Sequence, residues 1–121
     1  DLSQLTKMEL DVYGVGQNTG NFRFDLIDDD NKNYKVEYDD KWIPLNDDRW
    51  IFELPVDWKG WKHMIILFSE FRVDNAGRGD GIWNIEQVEG SGGLLQLQLI
   101  ATSRGKTGAF NATFDNLRIT K

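Results

Sequence analysis

A chain of 121 residues holds one compact domain, and with 40% hydrophobic residues, five Trp and seven Phe among them, it has enough apolar side chain to build a core. The formal charge of −6 sets aside nucleic acid and anionic membrane surfaces as partners, because phosphates are gripped by clustered Lys and Arg. The lack of Cys removes disulfides, thiolate catalysis and Cys-ligated zinc. No apolar run has the length of a membrane span. The opening Asp1-Leu2-Ser3 enters patterned sequence directly, with no leader pattern, and reads as a boundary cut from a larger secreted protein. Residues 1–121 are therefore expected to form a single domain.

Period-two alternation dominates. Met8, Leu10 and Val12 share one face of the first predicted strand, and Lys7, Glu9, Asp11 and Tyr13 share the other. Gly14 to Gly20 is a turn. The next strand sets Phe22, Phe24 and Leu26 against Arg23 and Asp25. Asp28 to Asn33 reads as an acidic hairpin loop leading into a strand over Tyr34–Tyr38. After Pro44, Trp50, Phe52 and Leu54 alternate with Arg49, Ile51 and Glu53, which makes Trp50 a core residue. A further strand runs near Trp61 to Phe68, and its two faces are too similar to say which is buried. Asp74 to Gly81 is loop by composition. Ile82 to Val88 is either a helical turn or a brief strand. Leu95, Leu97 and Leu99 face away from Gln96 and Gln98 in the strand over Leu94–Ala101, and Phe110 to Ile119 closes the chain as another half-buried strand. Seven or eight such strands, with no amphipathic helix, predict an all-β antiparallel sandwich or jelly roll.

The non-core faces carry planar hydrogen-bonding groups rather than the Lys/Glu mixture of a plain wet surface. Glu9, Asp11, Arg23, Asp25, Gln96 and Gln98 are such groups, and adjacency of their strands would join them into one donor-acceptor surface. An ordinary solvated sheet face is the alternative.

Three stretches carry a family likeness. Asp57-Trp58-Lys59-Gly60-Trp61-Lys62-His63-Met64-Ile65-Ile66-Leu67-Phe68-Ser69-Glu70-Phe71-Arg72 resembles one strand of the galactose-binding-like carbohydrate-binding modules, especially families 11 and 30. Phe22 to Asp28, the acidic turn and Tyr34 are similar to their hairpin, and Phe114-Asp115-Asn116-Leu117-Arg118-Ile119 to their closing strand. Leu67 stands where those modules commonly have Pro. The resemblance implies a non-catalytic module, tethered to a secreted glycoside hydrolase and most often monomeric, that binds a polysaccharide chain in a cleft on a concave sheet. It also implies a structural calcium ion, with Asp115 at the position of the family's terminal Asp and Asp74, Asn75, Asp80 or Asp28 to Asp30 as further oxygen donors.

Sugar rings lay C–H faces on aromatic rings and pair their hydroxyls with carboxylates, amides and guanidinium groups. The expected glycan contacts are Glu9, Asp11, Tyr13, Arg23, Asp25, Trp42, Gln96 and Gln98, with Tyr13 and Trp42 as the flat platforms. Replacing Arg23 or Asp25 with Ala is expected to weaken binding and leave the melting temperature alone. Two rivals stand beside this reading. A small glycoside hydrolase or lyase would draw its carboxyl pair from Glu9, Asp11, Asp25, Glu37, Glu53 or Glu86. A structural adhesion sandwich would have no aromatic-lined site. A Ser-His-Asp triad would have to use His63, the only His, and no nucleophile elbow accompanies it.

Overall fold

The computed structural model describes residues 2–17, 20–87, 90–103 and 110–121. Asn18 and Thr19 of the first predicted turn, and Val88, lie outside them. The described chain is all-β and forms two antiparallel sheets, a β-sandwich. In chain order the strands are β1 (Lys7–Val15), β2 (Gly20–Asp29), β3 (Asp48–Pro55), β4 (Lys59–Leu67), β5 (Arg72–Val73), β6 (Gly93–Ser103) and β7 (Ala112–Thr120), with a short 3-10 turn at Phe68–Glu70. One sheet has the order β4-β1-β7 and the other β5-β3-β2-β6. No helix among the described residues is long and apolar enough to cross a membrane.

Two compact units can be distinguished, and β2, β3 and β6 contribute to both. One comprises Leu5–Arg23, Phe52–Glu70 and Leu99–Lys121 and contains the whole of β1, β4 and β7. Its core follows the alternation of β1, with Met8, Leu10 and Val12 fully buried, joined by Ile66 and Val56. The sheets meet within this unit where the Phe22 ring of β2 lies edge-on to Phe114 of β7, 6.0 Å between centroids, and to Phe110 at 4.9 Å. Gly14 permits β1 to pass against the Trp58 backbone, since a Cβ there would stand 2.2 Å from the Trp58 carbonyl oxygen.

The other unit comprises Asp1–Gln4, Phe24–Ile51 and Phe71–Gln98. Phe24, Leu26, Ile27, Ile51 and Ile85 are buried in it. Trp83 packs edge-on to Trp50 at 5.2 Å and beside Phe71 at 6.0 Å, so both Trp are partly structural.

Three expectations need correction. The acidic run is not a hairpin tip, because Asp28 and Asp29 belong to β2 and are fully buried. Tyr34–Tyr38 is not a strand: side chains there take the place of a ladder partner. Asn31 Oδ1 accepts from Asn33 N at 3.0 Å, Asn33 Oδ1 from Lys35 N at 3.1 Å, and Asp29 Oδ2 from Tyr34 N at 2.9 Å. Lys32 and Tyr34 accordingly turn left-handed, with φ of 57° and 59°. The described part of Ile82–Val88 is neither helix nor strand.

Candidate functional site

The three-stranded sheet carries its chemistry on its outer face. In an antiparallel pair, residues directly opposite point to the same side. Tyr13 on β1 is paired with Trp61 on β4 and Thr113 on β7, Asp11 with His63 and Asp115, and Glu9 with Ile65 and Arg118. Burial of Met8, Leu10 and Val12 assigns all of these to the solvent side. Trp61 is 59% exposed and Tyr13 40%, and their rings meet in an edge-to-face pair at 5.4 Å. Trp50 and Trp83, by contrast, are half-buried.

Below the rings, the polar groups are already connected. His63 Nδ1 lies 2.7 Å from Asp11 Oδ1, and its Nε2 lies 3.1 Å from Glu9 Oε1. Asn116 Nδ2 donates to Asp11 Oδ2 at 2.9 Å, and the Thr120 hydroxyl donates to Glu9 Oε2 at 2.6 Å. The Asn116 amide, then His63, holds the Asp11 carboxyl below its ordinary range. The Thr120 hydroxyl, then His63, does the same for Glu9. Hydrogen bonds to Asp11 and then Glu9 raise the His63 imidazole in return. Both acids are therefore held ionised, and the imidazole between them is held protonated to higher pH than usual.

Asn116 reaches Asp11 because β7 is irregular at that point. The pairing slips between Glu9 and Asp11, so that Asp115 and Arg118 of β7 span what Asp11 and Glu9 span on β1. Asn116 occupies the bulge with φ of 54°, a conformation Asn tolerates better than most residues. Beside it opens a depression of about 190 Å³ lined by Asp11, Trp61, Asp115 and Asn116.

The eight expected glycan contacts do not form one surface. Glu9, Asp11 and Tyr13 belong to the β4-β1-β7 sheet, whereas Arg23 and Asp25 on β2 and Gln96 and Gln98 on β6 belong to the other. Asp25 is fully buried, so it is a structural carboxylate and no hydroxyl acceptor at the surface. Its replacement must therefore disturb stability, contrary to the expectation from alternation. Gln96 accepts the Tyr38 hydroxyl at 2.8 Å and is likewise engaged. Arg23 and Gln98 are half-buried. Trp42 is 74% exposed, with its ring 5.6 Å from Tyr38. Asp39 sets its left-handed backbone (φ 60°), accepting Lys41 N and Ile43 N on Oδ1 at 2.9 Å each. Trp42 is thus a second exposed ring, carried by the segment between β2 and β3 rather than by a strand.

Among the described residues, Asp115 is in no group of three or more acidic or His side chains at metal-ligand spacing. Its Oδ1 accepts the N–H of Asn116 at 2.7 Å, and it is exposed beside Trp61. Among the described residues, the group with metal-ligand spacing is Asp28, Asp30 and Asp48, whose oxygens lie within 4.8 Å of one another. Burial, with the charge of Asp30, pushes the Asp28 carboxyl up to about 8, and burial pushes Asp30 up to about 6.

Trp61, His63 and Asn116 were not predicted as site residues. The sole signal for the first two was their alternation with Ile65, which became decisive only once β4 was paired to β1. Nothing local marks the bulge at Asn116.

Comparisons with protein-family models, curated proteins and solved structures find no match.

Proposed function

We propose that this chain is a non-catalytic carbohydrate-binding module that lays a polysaccharide strand across the outer face of the β4-β1-β7 sheet. The observation that carries this reading is the exposed Trp61–Tyr13 pair above a depression whose walls are Asp11, Asp115 and Asn116. A ring left largely open to water gains when a flat sugar face covers it, by about 1.5–3 kcal/mol for full burial of a large apolar side chain. Carboxylate and amide oxygens at the ring's edge then accept sugar hydroxyls, each netting about 0.5–1.5 kcal/mol. After the cost of association, the Kd falls on the order of micromolar to millimolar.

A β-linked glucan suits the face best, because its pyranose units present flat, equatorially substituted faces to a ring. The same surface is poorly suited to glycoside hydrolysis. That reaction needs one carboxyl kept protonated as general acid, and Glu9 and Asp11 are both held ionised. In this reading the module acts outside the cell and holds an attached glycoside hydrolase on its polymer.

Affinity electrophoresis through gels containing different β-glucans tests the proposal. The chain is expected to be retarded without cutting the polymer, and Trp61→Ala to weaken retention about ten- to a hundredfold, matching the burial energy of one ring. Loss of polymer would identify a hydrolase or lyase. Retention by no glycan would leave a structural adhesion sandwich. If Trp42→Ala abolished retention and Trp61→Ala did not, the binding site would lie at the β2–β3 segment that carries Trp42.

A further inference from the structure

We propose that Asp28, Asp30 and Asp48, together with the side-chain oxygen of Asn84, form a binding site for a calcium-sized divalent cation. The three carboxylates converge from the end of β2 and the start of β3, with one oxygen of each within 4.8 Å of the others. An ion bonded at about 2.3–2.6 Å to each donor requires donors no farther apart than about twice that length, which this spacing satisfies.

The second observation is which atoms lack partners. Asp30 Oδ1, Asp48 Oδ1 and Asn84 Oδ1 are buried without a hydrogen bond. Buried acceptors are rarely left that way, because each forfeits its bond to water. Asn84 is a neutral residue only 8% exposed, so its orphaned oxygen is independent of the acidic cluster. Its position is fixed from two sides: its backbone N–H donates to Asp28 Oδ2 at 3.3 Å, and its Nδ2 faces Asp80 Oδ2 at 3.5 Å. Of that amide, Oδ1 is the atom left over.

Asp30 and Asp48 divide their oxygens in the same manner, whereas both oxygens of Asp28 face the Trp50 indole N–H, at 3.2 and 3.3 Å. Asp30 Oδ2 accepts from Asp48 N at 2.9 Å and Asp80 N at 3.2 Å, and Asp48 Oδ2 accepts from Gly81 N at 2.6 Å. In each case one oxygen is tied to backbone and the other is kept free, as in a metal site whose ligands are oriented by outer hydrogen bonds. Gly79 lets the loop lie directly on the cluster. A Cβ at that position would stand 2.0 Å from Asp30 Oδ2 and 2.5 Å from Asp48 Oδ1. All the donors are oxygen, including a neutral amide, and they lie on buried or half-buried side chains. That combination suits calcium, whereas magnesium prefers to retain several waters.

Terbium and calcium titrations of the metal-free full chain test the site. The Trp50 indole N–H lies 3.2 Å from Asp28 Oδ1, so a terbium ion bound there is sensitised by that ring. The expected result is saturable terbium emission that calcium displaces and magnesium displaces at least about tenfold less well, with a melting temperature raised by calcium. Asp48→Asn is expected to weaken calcium binding by at least about tenfold, and Asp115→Asn to bind like the parent chain. Should Asp48→Asn fail to fold, Asn84→Ala carries the same expectation. Absence of both emission and a thermal shift at millimolar calcium overturns the proposal, as does loss of binding in Asp115→Asn alone. The measurement involves no glycan, so its failure leaves the reading of the β4-β1-β7 face where it stands.

Discussion

On the outer face of the β4-β1-β7 sheet, His63 is a residue through which pH acts. It is exposed, and it bridges Asp11 and Glu9 on the neighbouring strand. A histidine whose folded pKa is raised contributes stability that is complete below its ordinary value of 6.5 and is lost as pH rises through the folded value. Glu9 and Asp11 are lowered, so their contribution is present above their ordinary values of 4.5 and 3.8 and is lost as pH falls through the folded ones. Both carboxylates and the imidazolium are in their favoured states only in the window between. As the single His, its ring gives an isolated imidazole resonance in a proton NMR titration. The midpoint is expected above 6.5, and a midpoint at or below that value would contradict the bridge. His63→Gln should flatten the loss of stability on the alkaline side of the window, as read by melting temperature against pH.

Asp25 shows the opposite lesson at the same scale. Alternation correctly sets it off from Phe24 and Leu26, yet the second face of β2 is covered too, since Asp25 and Ile27 are both buried. A polar residue off the core face need not face water. Asp25→Ala is accordingly expected to destabilise the fold by about 1–3 kcal/mol, the cost of removing a fully buried, interacting polar side chain, in a urea unfolding experiment.

Among the elements, β7 decides the geometry of the candidate site through its bulge. Asn116 does two things there: it accepts a left-handed backbone, and it turns its amide onto Asp11. Two substitutions separate these contributions. Asn116→Gly keeps the backbone free and removes the amide, so it should cost only the loss of one exposed hydrogen bond. Asn116→Ala removes the amide and adds the steric strain of a Cβ in that conformation, a further penalty of about 1 kcal/mol. Equal stabilities for the two variants would mean that the bulge relaxes. Both should release Asp11 toward the ordinary carboxylate range, because Asn116 is the first of the bonds that hold it down.

The segment between β2 and β3 follows the same physics. Its sequence has the β-branched and aromatic residues of a strand at Tyr34, Val36 and Tyr38, and alternation alone favours pairing. Asn31, Asn33 and Asp39 instead bond to nearby backbone, and local bonds form without waiting for a partner strand. The Asx residues were visible in the sequence. That they would prevail over the alternation was not.

At the scale of the whole molecule, stability rests on a core that alternation locates well. Leu10 is fully buried on β1, the middle strand of its sheet, and Leu67 is 45% exposed on β4 at the edge. Leu10→Ala should cost about 2–5 kcal/mol in chemical denaturation, whereas Leu67→Ala should stay within about 0.5 kcal/mol of the parent. A large loss from Leu67→Ala would mean that the outer face of the sheet is covered in solution.

The strands β1, β2, β3, β4, β6 and β7, the faces of β1, and the exposure of Tyr13 and Trp42 were all legible in the chain, because period-two burial leaves a local record in residue type. Strand adjacency leaves no such record. Glu9, Asp11 and Tyr13 parted from Arg23, Asp25, Gln96 and Gln98 because β1 hydrogen-bonds to β4 and β7 rather than to β2 and β6. The same pairing brought Trp61, His63 and Asn116 to the site, residues separated from Asp11 by up to 105 positions. Asp28, Asp30 and Asp48 met for a similar reason, as β2 and β3 are neighbours in one sheet. Local sequence thus determined the all-β class, the positions of most strands and much of what each buries, since those depend on neighbours along the chain. Which polar groups share a surface was decided by long-range pairing, whose energy comes from contacts between residues that are distant in sequence.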